Sequence, residues 1–146
     1  MNEKILILTP VYNDWKSLDK LISQINKIFE IKIKSKFELV IINDNSKDKC
    51  SFRRYKKKMI GKITIINLYK NVGSQRAIAI GLRYLAKYYK KKIITIIMDS
   101  DGQDNPNLIH KMLTVYKSNP KYSIAVNRGQ RKEPLWFKIL YEIYCI

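Results

Sequence analysis

A chain of 146 residues that is 46% hydrophobic and 28% charged is one domain's worth of polypeptide. It is too apolar to be disordered, and long enough to bury roughly 68–70% of its unfolded surface. Its formal net charge of +17 comes largely from lysine. That charge has a genomic reading, an AT-rich coding bias that also enriches Ile, Asn and Tyr, and a functional one, attraction to a nucleotide, a phospholipid surface or nucleic acid.

In chain order, KILILT (4–9) is a short apolar run suited to a strand buried on both faces. Leu18, Leu21, Ile22, Ile25, Ile28 and Phe29 then recur at three and four, the stripe of an amphipathic helix. FELVII (37–42) is a second strand, followed by the turn NDNS and a basic, weakly patterned segment expected to be helical. KITIIN (62–67) is a third strand. A helix follows from Gly73 to about Tyr89, its apolar side carrying Ala77, Ile78, Leu82, Leu85 and Tyr89. KIITIIM (92–98) is a fourth strand, and after a turn Pro106 opens a helix through about Lys117. YSIAV (122–126) reads as a fifth strand, and EPLWFKILYEIYCI as an aromatic-rich helix.

Strands alternating with helices predict an α/β fold, one domain over 1–146, with a mostly parallel sheet flanked by helices. Such sheets take ligands at the carboxyl ends of their strands. TPVYND, NDNS, NVGSQR and DSDGQD each follow a strand, so all should share one rim. Cys50 and Cys145 lie far apart without CxxC spacing, which offers no metal cluster and points to a reducing compartment. The start MNEKILILTP lacks a secretory pattern, and no stretch approaches ~20 apolar residues. The expectation is a cytoplasmic protein, soluble or peripheral on the inner membrane face.

Asp99 and Asp101 sit at i and i+2 where the fourth strand breaks, and Gly102 permits a turn that lets both carboxylates face one point. With the Gln103 amide oxygen they form a hard-oxygen set suited to Mg²⁺ or Mn²⁺. The competing reading is a polar turn, with Asp104 or Asn105 capping the next helix. Asp44 could accept hydrogen bonds from a base or a ribose, or simply form an Asx turn. TPVYND combines a loop-stiffening Pro10, an aromatic Tyr12 able to stack on a base, and Asp14; Asn13 or Asp14 could equally cap a helix. Gly73 opens a helix whose free N–H groups, with Arg76, would attract phosphate. Arg128 and Arg131 suit bidentate phosphate contact or solvated surface. His110 has no second ligand at metal spacing, and no nucleophile signature is present.

In order and spacing, TPVYND, FELVIINDNSKD, NVGSQRAIAIGL and IIMDSDGQDNP together resemble the family 2 glycosyltransferases of the GT-A fold. NVGSQRAIAIGL, the glutamine in DSDGQDNP and AVNRGQRKEPLWFKILYEIY are most similar to the polyprenyl-phosphate glycosyltransferases, the dolichol-phosphate mannose synthase and bactoprenol glucosyltransferase type. The resemblance implies the N-terminal, nucleotide-binding portion of a Rossmann-like GT-A domain. Its donor would be a UDP- or GDP-sugar and its acceptor a polyprenyl phosphate. Pro10, Tyr12 and Asp14 would border the nucleotide, and Asp44 would contact base or ribose. Gly73 and Arg76 would lie by the donor, and Asp99, Asp101 and Gln103 would hold the cation on the diphosphate. Asp101, with Arg128 and Arg131 at the donor diphosphate or lipid phosphate, would be the catalytic set.

Asp14 stands where the family more often has Glu, Asn43 where it often has Asp, and Gly102 where Leu is common. Related enzymes also run further, into a segment with the inverting base and often membrane helices. The expectation is therefore a C-terminally truncated enzyme with a possible separately encoded second half, or a non-catalytic nucleotide-sugar-binding or partner-binding module. A nucleic-acid binder lacks any reading motif here. A dehalogenase-type phosphatase would need its DxD after the first strand, and a Rossmann dehydrogenase G-x-G-x-x-G there.

Overall fold

The computed structural model describes residues 3–48 and 58–126. In these, strand β1 (Lys4–Val11), helix α1 (Trp15–Ile28), β2 (Phe37–Asn43), β3 (Ile60–Asn67), α2 (Ser74–Tyr88), β4 (Ile93–Ile97) and α3 (Leu108–Ser118) follow in order. A single π-helical turn, Phe29–Ile33, extends α1. The sheet has four strands in the order β3-β2-β1-β4, all parallel. This is the α/β arrangement expected from the alternation of patterns.

β1 and β2 are central and buried on both faces, which is why both read as unbroken apolar runs. Ile5, Ile7, Leu39 and Ile41 point to one face, where Leu18, Leu21, Ile22 and Ile25 of α1 and Ile109 and Leu113 of α3 cover them. Leu6, Leu8, Val40 and Ile42 point to the other, beneath Ala77 and Leu85 of α2. Every residue of the predicted α1 stripe is buried.

The apolar stripe of α2 differs from expectation at one place. Leu82 is 40% exposed, and the residue facing the sheet between Ala77 and Leu85 is Gly81. A Cβ there would come within 2.6 Å of Leu8 Cδ1 and 3.1 Å of Ile42 Cγ1. The helix rides so close to β1 and β2 that a methyl group there would force the Leu8 side chain to shift, and an apolar pattern cannot reveal a contact made by the smallest residue.

Two more expectations change. Residues 122–126 form no strand; Tyr122, Ser123, Ile124, Ala125 and Val126 instead line a groove beside β4 without pairing to it. β-branched content suits a pleated surface, but that preference alone does not make a strand, even beside the edge strand β4. Helix α3 begins at Leu108, and Pro106 sits in the tight turn that leads in, its carbonyl accepting from Ile109 N–H at 3.1 Å. The helices expected in the basic segment after NDNS and in EPLWFKILYEIYCI fall largely or wholly outside the described residues.

Candidate functional site

β1 runs past the end of β4. Alternate residues of a parallel strand bond to opposite neighbours, and here Leu8 O accepts from Met98 N–H at 3.1 Å while Val11 O accepts from Asp44 N–H at 2.9 Å. Pro10 has the parity of Leu8, so its ring stands where the next N–H would reach toward β4. The β1–β4 register ends at Leu8 and Ile97. Beyond it the chain after β4 turns away, and a cleft of about 160 Å³ opens between the loops. Pro10, Val11 and Tyr12 form one wall, Asp44 and Ser74 another, and Asp99, Ser100 and Asp101 the third. The four rim motifs do converge, as their positions after the strands predicted.

Each wall is fixed by backbone hydrogen bonds to short polar side chains. Asp44, 3% exposed, accepts from Val72 N–H at 2.8 Å through one oxygen and from Gly73 N–H at 2.9 Å through the other. Its carboxylate therefore clamps the loop that leads into α2 and places Ser74 at the cleft. Gly73 takes φ 85°, in the region closed to most side chains, which turns the loop into the helix. The expected role of Asp44 toward base or ribose would use the lone pairs these amides leave free.

Asn13, with φ 56°, ties the β1 loop to the β2 loop. Its N–H donates to Ser46 Oγ at 3.0 Å, and its Oδ1 accepts from Lys47 N–H at 2.7 Å. Asn43 Oδ1 accepts from Ser46 N–H at 3.0 Å, and Asn43 Nδ2 donates to Asn67 Oδ1 at 2.9 Å. Asp14 caps α1, accepting from Ser17 N–H at 3.0 Å. That matches the capping alternative, and Asp14 is not among the residues lining the cleft.

In the turn after β4, Asp99 N–H donates to Asp104 Oδ2 at 2.8 Å and Gln103 N–H donates to Asp101 Oδ1 at 2.9 Å, with Gly102 at φ 81°. Asp104 thus locks this turn rather than capping α3, while Asn105 Oδ1 accepts from Asn107 N–H at 3.0 Å. Asp99 is half-buried and Asp101 exposed, and both line the cleft. Gln103 lines a separate depression with Gln24 and Lys27 and is not among the residues lining the cleft. Arg76 is exposed on α2 and is not a lining residue. Arg128 and Arg131 lie outside the described residues. Ser74 and Ser100 line the cleft although no motif singled them out; Ser74 could have been found as the first residue after Gly73 in the expected helix.

Among the described residues no group of three or more His, Cys, Asp or Glu is placed to hold a metal ion. Asp99 and Asp101 on one wall supply two hard-oxygen donors, fewer than a divalent cation needs unless ligand oxygens complete its shell. Among the same residues no helix is long and apolar enough to cross a membrane.

Comparison with known proteins agrees with the fold. The chain aligns over 92% of its length with Staphylococcus aureus TarS (residues 1–349) in complex with UDP, at TM-score 0.61 and 19% identity, covering 39% of that chain. The α/β sheet with flanking helices is the GT-A fold. The chain is 28% identical over 144 residues to the uncharacterized glycosyltransferase sll0501 of Synechocystis, and 29% identical over 133 residues to the uncharacterized glycosyltransferase YkcC of Bacillus subtilis. These alignments cover 94% and 90% of this chain but 42% and 39% of those proteins, so it spans about two-fifths of the curated relatives it matches. The model of glycosyl transferase family 2 matches residues 6–144, through all the rim motifs that build the cleft, and the chain belongs to that family.

Proposed function

We propose that this chain is the donor-binding portion of a glycosyltransferase that takes a sugar from a UDP- or GDP-sugar. The observation that carries the reading is the convergence of Tyr12, Asp44, Ser74, Asp99 and Asp101 on one cleft at the carboxyl end of a parallel sheet. Tyr12, 45% exposed, offers a face for a base. Ser74 stands at the N-terminus of α2, where free N–H groups and the helix dipole favour phosphate. Asp99 and Asp101 would hold Mg²⁺ or Mn²⁺ against the donor diphosphate. The cation, when bound, supplies charge neutralisation to the leaving nucleoside diphosphate. The chain's own contribution is orientation: Asp44 and Asp104 fix the loops from which these groups project.

The acceptor in this proposal is a polyprenyl phosphate, met at the cytoplasmic membrane face, with Arg128 and Arg131 on the donor or lipid phosphate. It is supported by the likeness of NVGSQRAIAIGL and AVNRGQRKEPLWFKILYEIY to enzymes of that type. An acceptor that is already ionised relaxes the need for a general base. The proposal includes a C-terminal half, encoded with this chain or separately, because the matched portion is 42% and 39% of the relatives.

Calorimetric titration of the chain with UDP and with GDP, each with Mn²⁺, tests the donor reading. Asp99→Ala and Asp101→Ala should each weaken nucleotide binding about tenfold or more and abolish its dependence on the cation. Unchanged, metal-independent affinity in both variants overturns the cation assignment.

A further inference from the structure

The sheet has a second rim, at the amino ends of its strands, and a cavity of about 690 Å³ opens there. Its walls carry Lys4 from β1, Lys117 from α3, and Lys32, Lys34, Ser35 and Lys36 from the π-helical turn and the connector into β2. Only Glu3 and Glu38 among its lining residues are acidic, and each already holds a lysine: Glu38 holds Lys4 at 2.7 Å and Glu3 holds Lys92 at 2.7 Å. Lys32, Lys34, Lys36 and Lys117 make no ion pair among the described residues.

Helix chemistry explains part of this charge. Lys32 and Lys117 lie in the last turns of their helices, where a cation answers the exposed carbonyls. Lys34 and Lys36 have no such account. Lys34 occupies the left-handed position that ends the π-helical turn, φ 54°, its N–H donating to Phe29 O at 2.6 Å. Glycine or asparagine is the usual occupant of such a position, and a lysine there costs backbone energy. Beside it, Ser35 Oγ is buried without a hydrogen-bond partner among the described residues. A cavity that gathers one sign of charge between low-dielectric walls focuses its field inward.

We propose that this cavity is a second anion site, on the rim opposite the donor cleft, and that its ligand is a compact soluble oligophosphate. Its concavity favours a ligand that enters over a flat bilayer, which would touch the convex surface around it. Four lysines without an ion-pair partner among the described residues match more charge than the roughly −1.5 to −2 of one phosphate group. An acceptor oxygen arriving in the cavity would also answer the orphan hydroxyl of Ser35 if that side chain turns outward. The site stands independently of the donor reading.

The test is calorimetric titration of tripolyphosphate into the full chain at low salt, with circular dichroism confirming the fold of each variant. Lys34→Gln/Lys36→Gln should weaken binding about tenfold, whereas Lys16→Gln/Lys20→Gln, which removes the same charge from exposed positions on α1, should change it less than about twofold. Lys117→Gln, across the cavity, should weaken it about threefold without touching the connector. Equal losses in the two double variants, unaltered binding in all three, or no saturable binding to the wild type overturns the proposal. So does sedimentation with phosphatidylglycerol vesicles, lost in Lys34→Gln/Lys36→Gln, when tripolyphosphate does not bind.

Discussion

At the carboxyl-end rim carboxylates rest on backbone amides: Asp44 on Val72 and Gly73, Asp14 on Ser17, Asp104 on Asp99, Asp101 on Gln103. At the amino-end rim they rest on side chains: Glu38 on Lys4 and on Tyr89 Oη at 2.8 Å, Glu3 on Lys92. The difference has a physical consequence. A backbone N–H orients a carboxylate without cancelling its charge, so at the first rim these amide contacts fix geometry. A lysine at 2.7 Å cancels the charge it touches, so the second rim's acids are spent and its surplus is positive. Groups at the second rim also show the shifts that side-chain partners produce. Burial alone would raise the Glu38 pKa, but hydrogen bonds from Lys4 and Tyr89 outweigh it and hold the carboxyl below its ordinary range. Burial, then the Glu38 hydrogen bond, pushes the Tyr89 phenol up to about 12.

If the first rim is held by amides, Asp44→Ala should give the largest loss of stability. It frees two N–H groups that donate to a charged acceptor, about 3 kcal/mol in urea unfolding. A loss under about 0.5 kcal/mol would mean that the 72–73 loop holds itself. Asn13→Ala should follow at about 2 kcal/mol, combining lost loop-to-loop bonds with a methyl side chain at φ 56°. Asn13→Gly, free of the backbone cost, should recover about half.

At the amino-end rim Tyr89→Phe should cost only about 1 kcal/mol, because Glu38 keeps Lys4. A loss as large as that of Asp44→Ala would erase the distinction between the rims. The smallest effect is pH dependence. The folded Tyr89 pKa lies above the ordinary value of 10.0, so its contribution is complete below pH 10 and declines as pH rises toward about 12. Glu38 has the opposite sign: its contribution is present above 4.5 and lost as pH falls through its lower folded value. Urea titrations from pH 9 to about 11.5 should show the alkaline decline flattened in Tyr89→Phe relative to the wild type. Parallel curves would remove Tyr89 from the account.

Much of the carboxyl-end rim could be read from the chain because its parts are local. β1, β2 and the stripe of α1 follow from apolar period, and each rim motif follows its strand directly. What stayed hidden depends on partners distant in sequence. Asp44 looks like an Asx turn until Val72 and Gly73, 28 and 29 residues away, are seen to donate to it. Gln103 is two residues from Asp101, yet across the turn at Gly102 it lines a different depression. Gly81 carries no hydrophobic signal although it sets the distance between helix and sheet. Residues 122–126 have a strand's composition and lie beside the edge strand β4, yet do not pair with it.

Pro10 gives the cleft an origin in chemistry that is missing rather than present. In the β1–β4 register the next rung would run from the N–H of residue 10 to the carbonyl of Met98, and proline has no such hydrogen. Sheet growth stops there for want of one proton, and the two chains part at the level where Asp99 and Asp101 emerge. Opening the cleft therefore requires no loop to move. Pro10→Ala would return the donor, and a Met98 carbonyl newly protected from solvent, followed by isotope-edited infrared spectroscopy, would show the sheet zipping one step further and the gap closing from its base.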